Sequence, residues 1–261
     1  MPKLEVINSL NYKTFQNDSS TNDLRGYIDG RDFEKNPVGG FAQLFSLPMV
    51  PRSEWKERIE ERERNKNGLY HIWKAKNVPI LNQQRRPWCW CYGTIGGFMT
   101  VRARMNLNTI KFSAASTAAK IKNYRDVGGW AEEAIKGFAK YGCSSVDRWP
   151  EASNSRSHDT EEQRKFAMLH KLTKVEELPR QNIDAIVSSL FYNNPVTLGL
   201  MWWGHLVYAL DVVLRNGEIM ILIANSWGEG WGENGLGLLS LDRATAHEAF
   251  SLESATLATA A

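Results

Sequence analysis

The stretch Gln83-Gln84-Arg85-Arg86-Pro87-Trp88-Cys89-Trp90 sets a Gln six residues ahead of a Cys and a Trp directly behind it. A thiol is a useful nucleophile only as thiolate, and a free Cys is mostly protonated at neutral pH. A helix N-terminus and a neighbouring imidazolium both lower its pKa. Pro87 suits the first turn of a helix, where a missing N–H costs nothing. From Cys89 the chain runs Cys-Trp-Cys-Tyr-Gly-Thr-Ile-Gly-Gly-Phe-Met-Thr-Val-Arg-Ala-Arg, an apolar segment that predicts a buried helix beginning near Cys89.

Far downstream, Gly204-His205-Leu206-Val207-Tyr208-Ala209-Leu210-Asp211-Val212-Val213-Leu214 reads as a strand. Asn216-Gly217 follows, the strongest short hairpin signal. Ile219 to Ala224 then returns as the partner strand. Such a hairpin brings His205 and Asn225 to the same end. The next residues are Asn225-Ser226-Trp227-Gly228-Glu229-Gly230-Trp231-Gly232-Glu233-Asn234-Gly235.

Cys, His and Asn in this order, with an upstream Gln and a closing Asn-Ser-Trp-Gly…Trp-Gly-Glu-Asn-Gly block, resemble the papain-like cysteine peptidases over about residues 70–258. The resemblance implies an α+β fold. A helical half, its central helix starting near Cys89, packs on an antiparallel β-barrel-like half with the cleft between them. It implies Cys89 as nucleophile, His205 as its base and Asn225 as the group orienting the ring. Gln83 and the Cys89 backbone N–H would hold the oxyanion. Trp227 would shield the Asn–His hydrogen bond, and Trp231 would line the leaving-group side.

Gly128-Gly129-Trp130, followed by a helical pattern and Tyr141-Gly142, matches the family at a third place. By that analogy Gly128 and Gly129 meet the substrate backbone and Trp130 walls a side-chain pocket. The plainer alternative is a Gly-Gly turn before a helix. Ala134, Ile135, Phe138 and Tyr141 fall at helix spacing and should face the core.

The chain has three cysteines, at 89, 91 and 143. Six residues before Cys91 stands Arg85 rather than Gln, and residues two apart on a helix do not share a face. Cys89 is therefore the nucleophile candidate, set against the ordinary fate of free Cys as a small buried hydrophobe.

The chain also departs from the family. Only ten positions separate Pro195 from His205, where relatives carry a longer insertion. Gly204 precedes His205 in place of Asp or Asn. Trp202 and Trp203 stand where small pocket-lining residues are common, so Trp203 is expected to narrow the main specificity pocket, or else to pack with Trp202 in a shortened barrel. Arg86 stands where secreted relatives have their first bridging Cys.

With 261 residues, 43% hydrophobic, the chain can form one large domain or two subdomains around a cleft. A net charge of +3 makes no case for nucleic acid. Glu54 to Arg64 mixes both signs and predicts an exposed helix over 53–66, with Glu54–Arg58 and Glu60–Arg64 pairs and Ser53 as cap. No stretch is long and apolar enough for a membrane span, and the first residues show no secretory h-region. With no even set of cysteines, a reducing, cytoplasmic or particle-associated setting is expected. No metal or other cofactor is implied; His71, His158, His170 and His247 have no ligand spacing.

The organisation expected is an N-terminal extension over 1–65 and a catalytic domain over 66–258, its helical half at about 83–150 and its β half at about 166–258. Residues 151–164 read as a connector, 183–192 as a helix and 196–201 as a strand. The extension is either an atypical prosegment, removed by self-processing, or an arm docking the enzyme onto a partner assembly. Its one apolar patch is Phe41 to Phe45. The function expected is a cysteine endopeptidase acting on a peptide or protein substrate. Alternatives are an amidase or transpeptidase with the same triad, and a silent papain-fold protein of a larger assembly such as a virion. Cys-His-Asp and Cys-His-His hydrolases are disfavoured by Asn225 and its Trp-Gly context.

Overall fold

A computed structural model describes residues 4–39 and 42–258. Phe41, at the start of the apolar patch read from the sequence, lies outside them. In chain order the extension contributes β1 (Glu5–Ile7), α1 (Tyr12–Gln16), β2 (Gln43–Leu44) and α2 (Arg52–Asn65). The helical half follows with α3 (Leu69–Ala75), α4 (Cys89–Arg104), β3 (Phe112–Ser113), α5 (Ala114–Ile121), α6 (Ala131–Tyr141) and β4 (Ser144–Ser145). Then come α7 (Glu161–Met168), β5 (Leu172–Glu177), α8 (Ile183–Phe191), β6 (Val196–Leu200), β7 (His205–Arg215), β8 (Glu218–Ala224), β9 (Leu236–Ser240), α9 (Leu241–Ala244) and β10 (Glu248–Ala255).

Helix α4 is buried from Cys89 to Ala103. A helix apolar all round can only be a core element, and α4 packs with α5 and α6 on one side and β7 and β10 on the other. Its glycines permit the close approach to the sheet: a Cβ on Gly93 would stand 2.4 Å from Leu206, and one on Gly96 2.5 Å from Tyr208. Phe98 meets Phe112 and Phe138 with ring centroids 5.1 and 4.7 Å apart. Fully burying each such ring contributes roughly 1.5–3 kcal/mol.

The sheet runs β1-β9-β8-β7-β6-β10-β5-β2. Its centre is antiparallel, but both outer strands come from the extension and pair in parallel, β1 on β9 and β2 on β5. The sheet is open among the described residues, so the barrel-like half is a twisted mixed sheet. Asn216 and Gly217 both take positive φ, +51° and +83°, the geometry a two-residue hairpin turn requires. The β7–β8 hairpin forms where the dipeptide predicts it.

Several local expectations need correction. Helix α2 spans Arg52–Asn65 with Pro51 at its N-cap, so Ser53 is inside the helix and caps nothing. It is exposed only on one side: Trp55 and Ile59 are buried. Arg58 pairs with Glu54 as expected, while Glu63 pairs with Lys66 and His71. Pro87 precedes the N-cap residue Trp88 rather than entering the first turn. The 151–164 connector contains the start of α7, capped by the Thr160 side chain on the Gln163 N–H. Arg86 joins Asp126 at 2.6 Å and donates to the Ala152 carbonyl at 3.0 Å, tying the segment before Cys89 to the loop before Gly128.

Candidate active site

Cys89 is the first residue of α4, and its thiol is fully buried. Sγ accepts the backbone N–H of Gly26 at 3.3 Å. Burial pushes the thiol up to about 11, against smaller lowering by the backbone N–H groups of Leu206, Gly26, Trp90 and Tyr27. The thiol is therefore neutral at physiological pH.

His205 opens β7, and its Nε2 lies 2.7 Å from Asn225 Oδ1. The Ser226 N–H also donates to that Oδ1, at 2.7 Å, which fixes the amide orientation. An amide oxygen only accepts, so Nε2 carries the proton and Nδ1 presents a lone pair. Nδ1 is buried with no hydrogen-bond partner among the described residues. Burial lowers the imidazole to about 3, with Arg25 acting in the same direction and the Asn225 bond opposing. The Trp227 ring covers the His205 ring at 4.5 Å between centroids and 36°. Trp231 stands edge-on to Trp227 at 6.0 Å.

Gln83 is wholly buried. Its Oε1 accepts Ser226 Oγ at 2.5 Å and its backbone N–H reaches the Ser226 carbonyl at 2.8 Å. These bonds aim the amide nitrogen toward Cys89's segment, where Nε2 donates at 2.6 Å to the carbonyls of both Arg86 and Leu24.

Leu24 belongs to the extension, and here the sequence reading missed the main feature of the site. Residues 24–28 pass through the cleft as a strap. The Gly129 N–H donates to the Gly26 carbonyl at 2.9 Å, the Ile28 N–H to the Gly129 carbonyl at 3.0 Å, and the Tyr27 N–H to the Gly204 carbonyl at 3.1 Å. Tyr27 and Gly129 form a parallel bridge. Gly128 and Gly129 thus meet an extended backbone, and Trp130 walls it: a Cβ on Gly30 would stand 2.3 Å from the Trp130 ring. No periodicity marks the strap in sequence; its only signals are Gly26 and Gly30 bracketing Tyr27, with Arg31 behind them.

Trp203 is not in the pocket beside Gly129. It stacks on Trp202 at 5.3 Å and 9° and meets His205, Trp227 and Trp231 edgewise or tilted. The β6–β7 turn draws the two Trp rings into the aromatic cluster beside His205 and Trp227. Of the two expectations for Trp203, its contacts match packing with Trp202, and the ring lying on the Gly199 backbone is Tyr27.

A helix headed by Cys89, packed on a sheet whose hairpin sets His205 against Asn225, is the papain-like fold. The chain is similar to papain of Carica papaya, 28% identical over 191 residues. That alignment covers 64% of this chain and 53% of papain, so the chain matches about half the length of this relative. No protein-family model matches. Among solved structures, digestive procathepsin L 3 of Tenebrio molitor larval midgut superposes with a TM-score of 0.58 at 18% identity, over 94% of this chain and 90% of that one. Xylellain, a cysteine protease from Xylella fastidiosa, gives 0.61 at 15% identity over 88% and 96%. The bromelain protease from Ananas comosus gives 0.59 at 18% identity over 70% and 97%.

Proposed function

We propose that the protein is a cysteine endopeptidase held latent by its own extension. The observation that carries this is the 2.7 Å Asn225–His205 contact, with the Nδ1 lone pair left bare in a site that also holds a helix-terminal thiol. In the strapped state the thiol and imidazole are both neutral, and Cys89 Sγ takes its hydrogen bond from Gly26 instead.

When the strap leaves, water and the α4 N-terminus lower the cost of thiolate, and His205 Nδ1 takes the Sγ proton. The thiolate attacks the peptide carbonyl carbon. Gln83 Nε2 and the Cys89 N–H hold the oxyanion. The C–N bond breaks and the amine leaves with the proton from His205. Water then gives a proton back to His205, attacks the thioester, and releases the acid and the thiolate. Asn225 keeps the ring in the tautomer and orientation for both transfers.

Residues 1–65 act as an inhibitory prosegment on this reading, and 66–258 as the catalytic domain. The strap's occupation of the Gly129 and Gln83 sites favours a prosegment over a docking arm. Processing near 60–70 is intermolecular. Tyr70 N–H and Arg62 bind Asp211, six residues along β7 from His205. At about 3.3 Å per strand residue that is roughly 20 Å from the triad. Three buried free thiols suit a reducing, cytoplasmic or particle-associated setting.

The test is labelling by an epoxysuccinyl thiol-protease inhibitor together with hydrolysis of a casein substrate, with Cys89→Ala as control. Labelling and turnover that appear after strap displacement and vanish with Cys89→Ala support the peptidase. No labelling and no turnover in a folded, strap-displaced protein would favour the silent scaffold. Labelling without peptide hydrolysis would favour amidase or transpeptidase chemistry.

A further inference from the structure

The ends of α5 and α6, together with α7, enclose a cavity of about 460 Å³ that shares no lining residue with the site of Cys89 and His205. That volume lies within the range of small-molecule sites. Its charged lining is Lys120, Lys140, Arg164 and Asp159. Asp159 is already saturated. Its Oδ1 meets Lys120 Nζ at 3.3 Å and Arg164 Nε at 3.1 Å. Its Oδ2 accepts the Tyr124 hydroxyl at 2.7 Å and an Arg164 Nη at 3.1 Å. A carboxylate offers about four lone-pair sites, so none is left for Lys140. Lys140 makes no ion pair among the described residues, and its ammonium stands 4.9 Å from the Tyr141 ring. The other acids of α7 are taken too, Glu161 by Lys165 at 2.7 Å and Glu162 by Arg148 at 2.8 Å. Three cations therefore face one carboxylate, and the Lys120 side chain, only 7% exposed, holds its charge largely out of water.

The rest of the lining is aromatic and apolar: Tyr124, Tyr141 and Met168, the last 46% exposed. Tyr124 is held there against its backbone preference. It takes φ +64° directly after Asn123 at +49°, a left-handed pair uncommon for a bulky residue. Strain of this kind persists only where the surroundings over-determine it. Here the hydroxyl bond to Asp159 does so, with the Arg156 guanidinium 4.2 Å from the ring centroid. The cavity thus asks for two things at once, about two negative charges and a flat apolar body. A carboxylate or a sulfate ester brings one charge and leaves the second cation uncompensated. Inorganic phosphate brings the charge but leaves the rings and the Met168 thioether against water. A phosphate monoester carries about −1.5 to −2 at neutral pH and three acceptor oxygens. Its hydrogen bonds to ammonium and guanidinium are charge-assisted, and an aromatic body gains ring and sulfur contacts.

We infer that this cavity binds a phosphate monoester carried on an aromatic ring, with Lys140, Lys120 and Arg164 holding the phosphate and Tyr124, Tyr141 and Met168 receiving the ring. The site is independent of the latent-peptidase reading and stands whether or not Cys89 turns over.

The full-length protein is titrated with phenyl phosphate by isothermal calorimetry in a phosphate-free buffer, with inorganic phosphate, phenyl sulfate and benzoate as comparators. Phenyl phosphate should bind at one site per chain, and each comparator should bind about threefold or more weakly. Lys140→Gln should weaken phenyl phosphate by about tenfold, the loss of one charge-assisted partner, and Lys140→Arg should restore it. Met168→Glu, a change at a half-exposed position, places a carboxylate beside the ring and should abolish binding, which tests the cavity by a second route. Phosphotyrosine within a tripeptide distinguishes the two sources of such a group. Tighter binding than phenyl phosphate assigns a protein-borne ester and equal binding a small free one, and either supports the site. No saturable binding of phenyl phosphate, inorganic phosphate or benzoate binding as tightly, or an affinity that survives both Lys140→Gln and Met168→Glu overturns the inference.

Discussion

The Gly26 N–H donates to the Cys89 thiol across 3.3 Å, while the His205 Nδ1 has no hydrogen-bond partner among the described residues. The strap thereby gives the thiol a backbone donor, where on the latent-peptidase reading a substrate would present a carbonyl carbon. A Cβ on Gly26 would lie 2.0 Å from the Pro87 carbonyl oxygen, a backbone atom that cannot swing aside. Gly26→Val should therefore expel the strap and raise the rate of Cys89 alkylation at pH 7 by about tenfold or more, since a freed thiolate replaces a buried thiol. Peptide mass spectrometry after timed labelling measures this; an unchanged rate in a folded variant would falsify strap-based masking.

Gln83 donates to the Leu24 carbonyl, and on the latent-peptidase reading it donates to the oxyanion once the strap has left. Removing one such donor costs about 10²–10³ in kcat. Gln83→Ala in the Gly26→Val background should show that loss with KM little changed and Cys89 still labelled. A fall in KM-limited rate alone would point to a structural role through Ser226 instead.

Arg31 is the cation among Glu132, Glu177 and Glu248. Removing one partner of such a buried set costs about 3–5 kcal/mol. Arg31→Ala should pass much of that loss to the strap, making residues 18–45 sensitive to limited trypsin digestion before the rest of the chain unfolds. Simultaneous loss of all protected fragments would mean that the cluster supports the whole domain and not the strap alone.

His205 and His170 are both held well below the usual imidazole range, to about 3 and about 4, by burial. His170 sits against Phe112 and Phe166, and neither ring nitrogen has a hydrogen-bond partner among the described residues. Their folded pKa values lie below the unfolded value of about 6.5, so unfolding takes up protons on acidification. Stability is full above about pH 6.5 and falls as pH drops toward 4. At pH 5 each group should account for about 2 kcal/mol of loss. Urea melts from pH 8 to 5 should show this, and His170→Leu should flatten the slope by its own share.

On the latent-peptidase reading, the separation of residues 60–70 from His205 along β7 makes processing there bimolecular. Its apparent first-order rate should rise in proportion to protein concentration, and Cys89→Ala protein should be cut when mixed with active protein. Concentration-independent cleavage in gel time courses would require the extension to unwrap within one molecule.

The residues around Cys89, His205 and Asn225 were legible because each rests on local grammar. An apolar run makes a core helix, Asn216-Gly217 turns a hairpin, and the Trp-Gly block closes it. Those rules placed the helix and the hairpin; the α+β class, the roles of Cys89, His205 and Asn225 and the substrate-side reading of Gly128 and Gly129 came from the resemblance to the papain-like peptidases. Trp203 kept two placements open because the pattern marks it as large and apolar but does not say which side of His205 it packs on.

The extension was illegible for a different reason. β1 and β2 are three and two residues long and gain their order from sheet edges more than two hundred and about one hundred and thirty residues away in the chain. The strap from Leu24 to Ile28 has no core of its own, and its backbone bonds to the rest of the site go to Cys89, Gly129, Gly204 and Gln83. Likewise, Arg31, Glu132, Glu177 and Glu248 are scattered, ordinary charges in sequence. Only the packed chain brings them together, because a buried charge must find its counterion in space whatever its place along the backbone. The sequence by itself determined which residues could do thiol chemistry; the tertiary structure alone decided that a segment of the same chain lies over them.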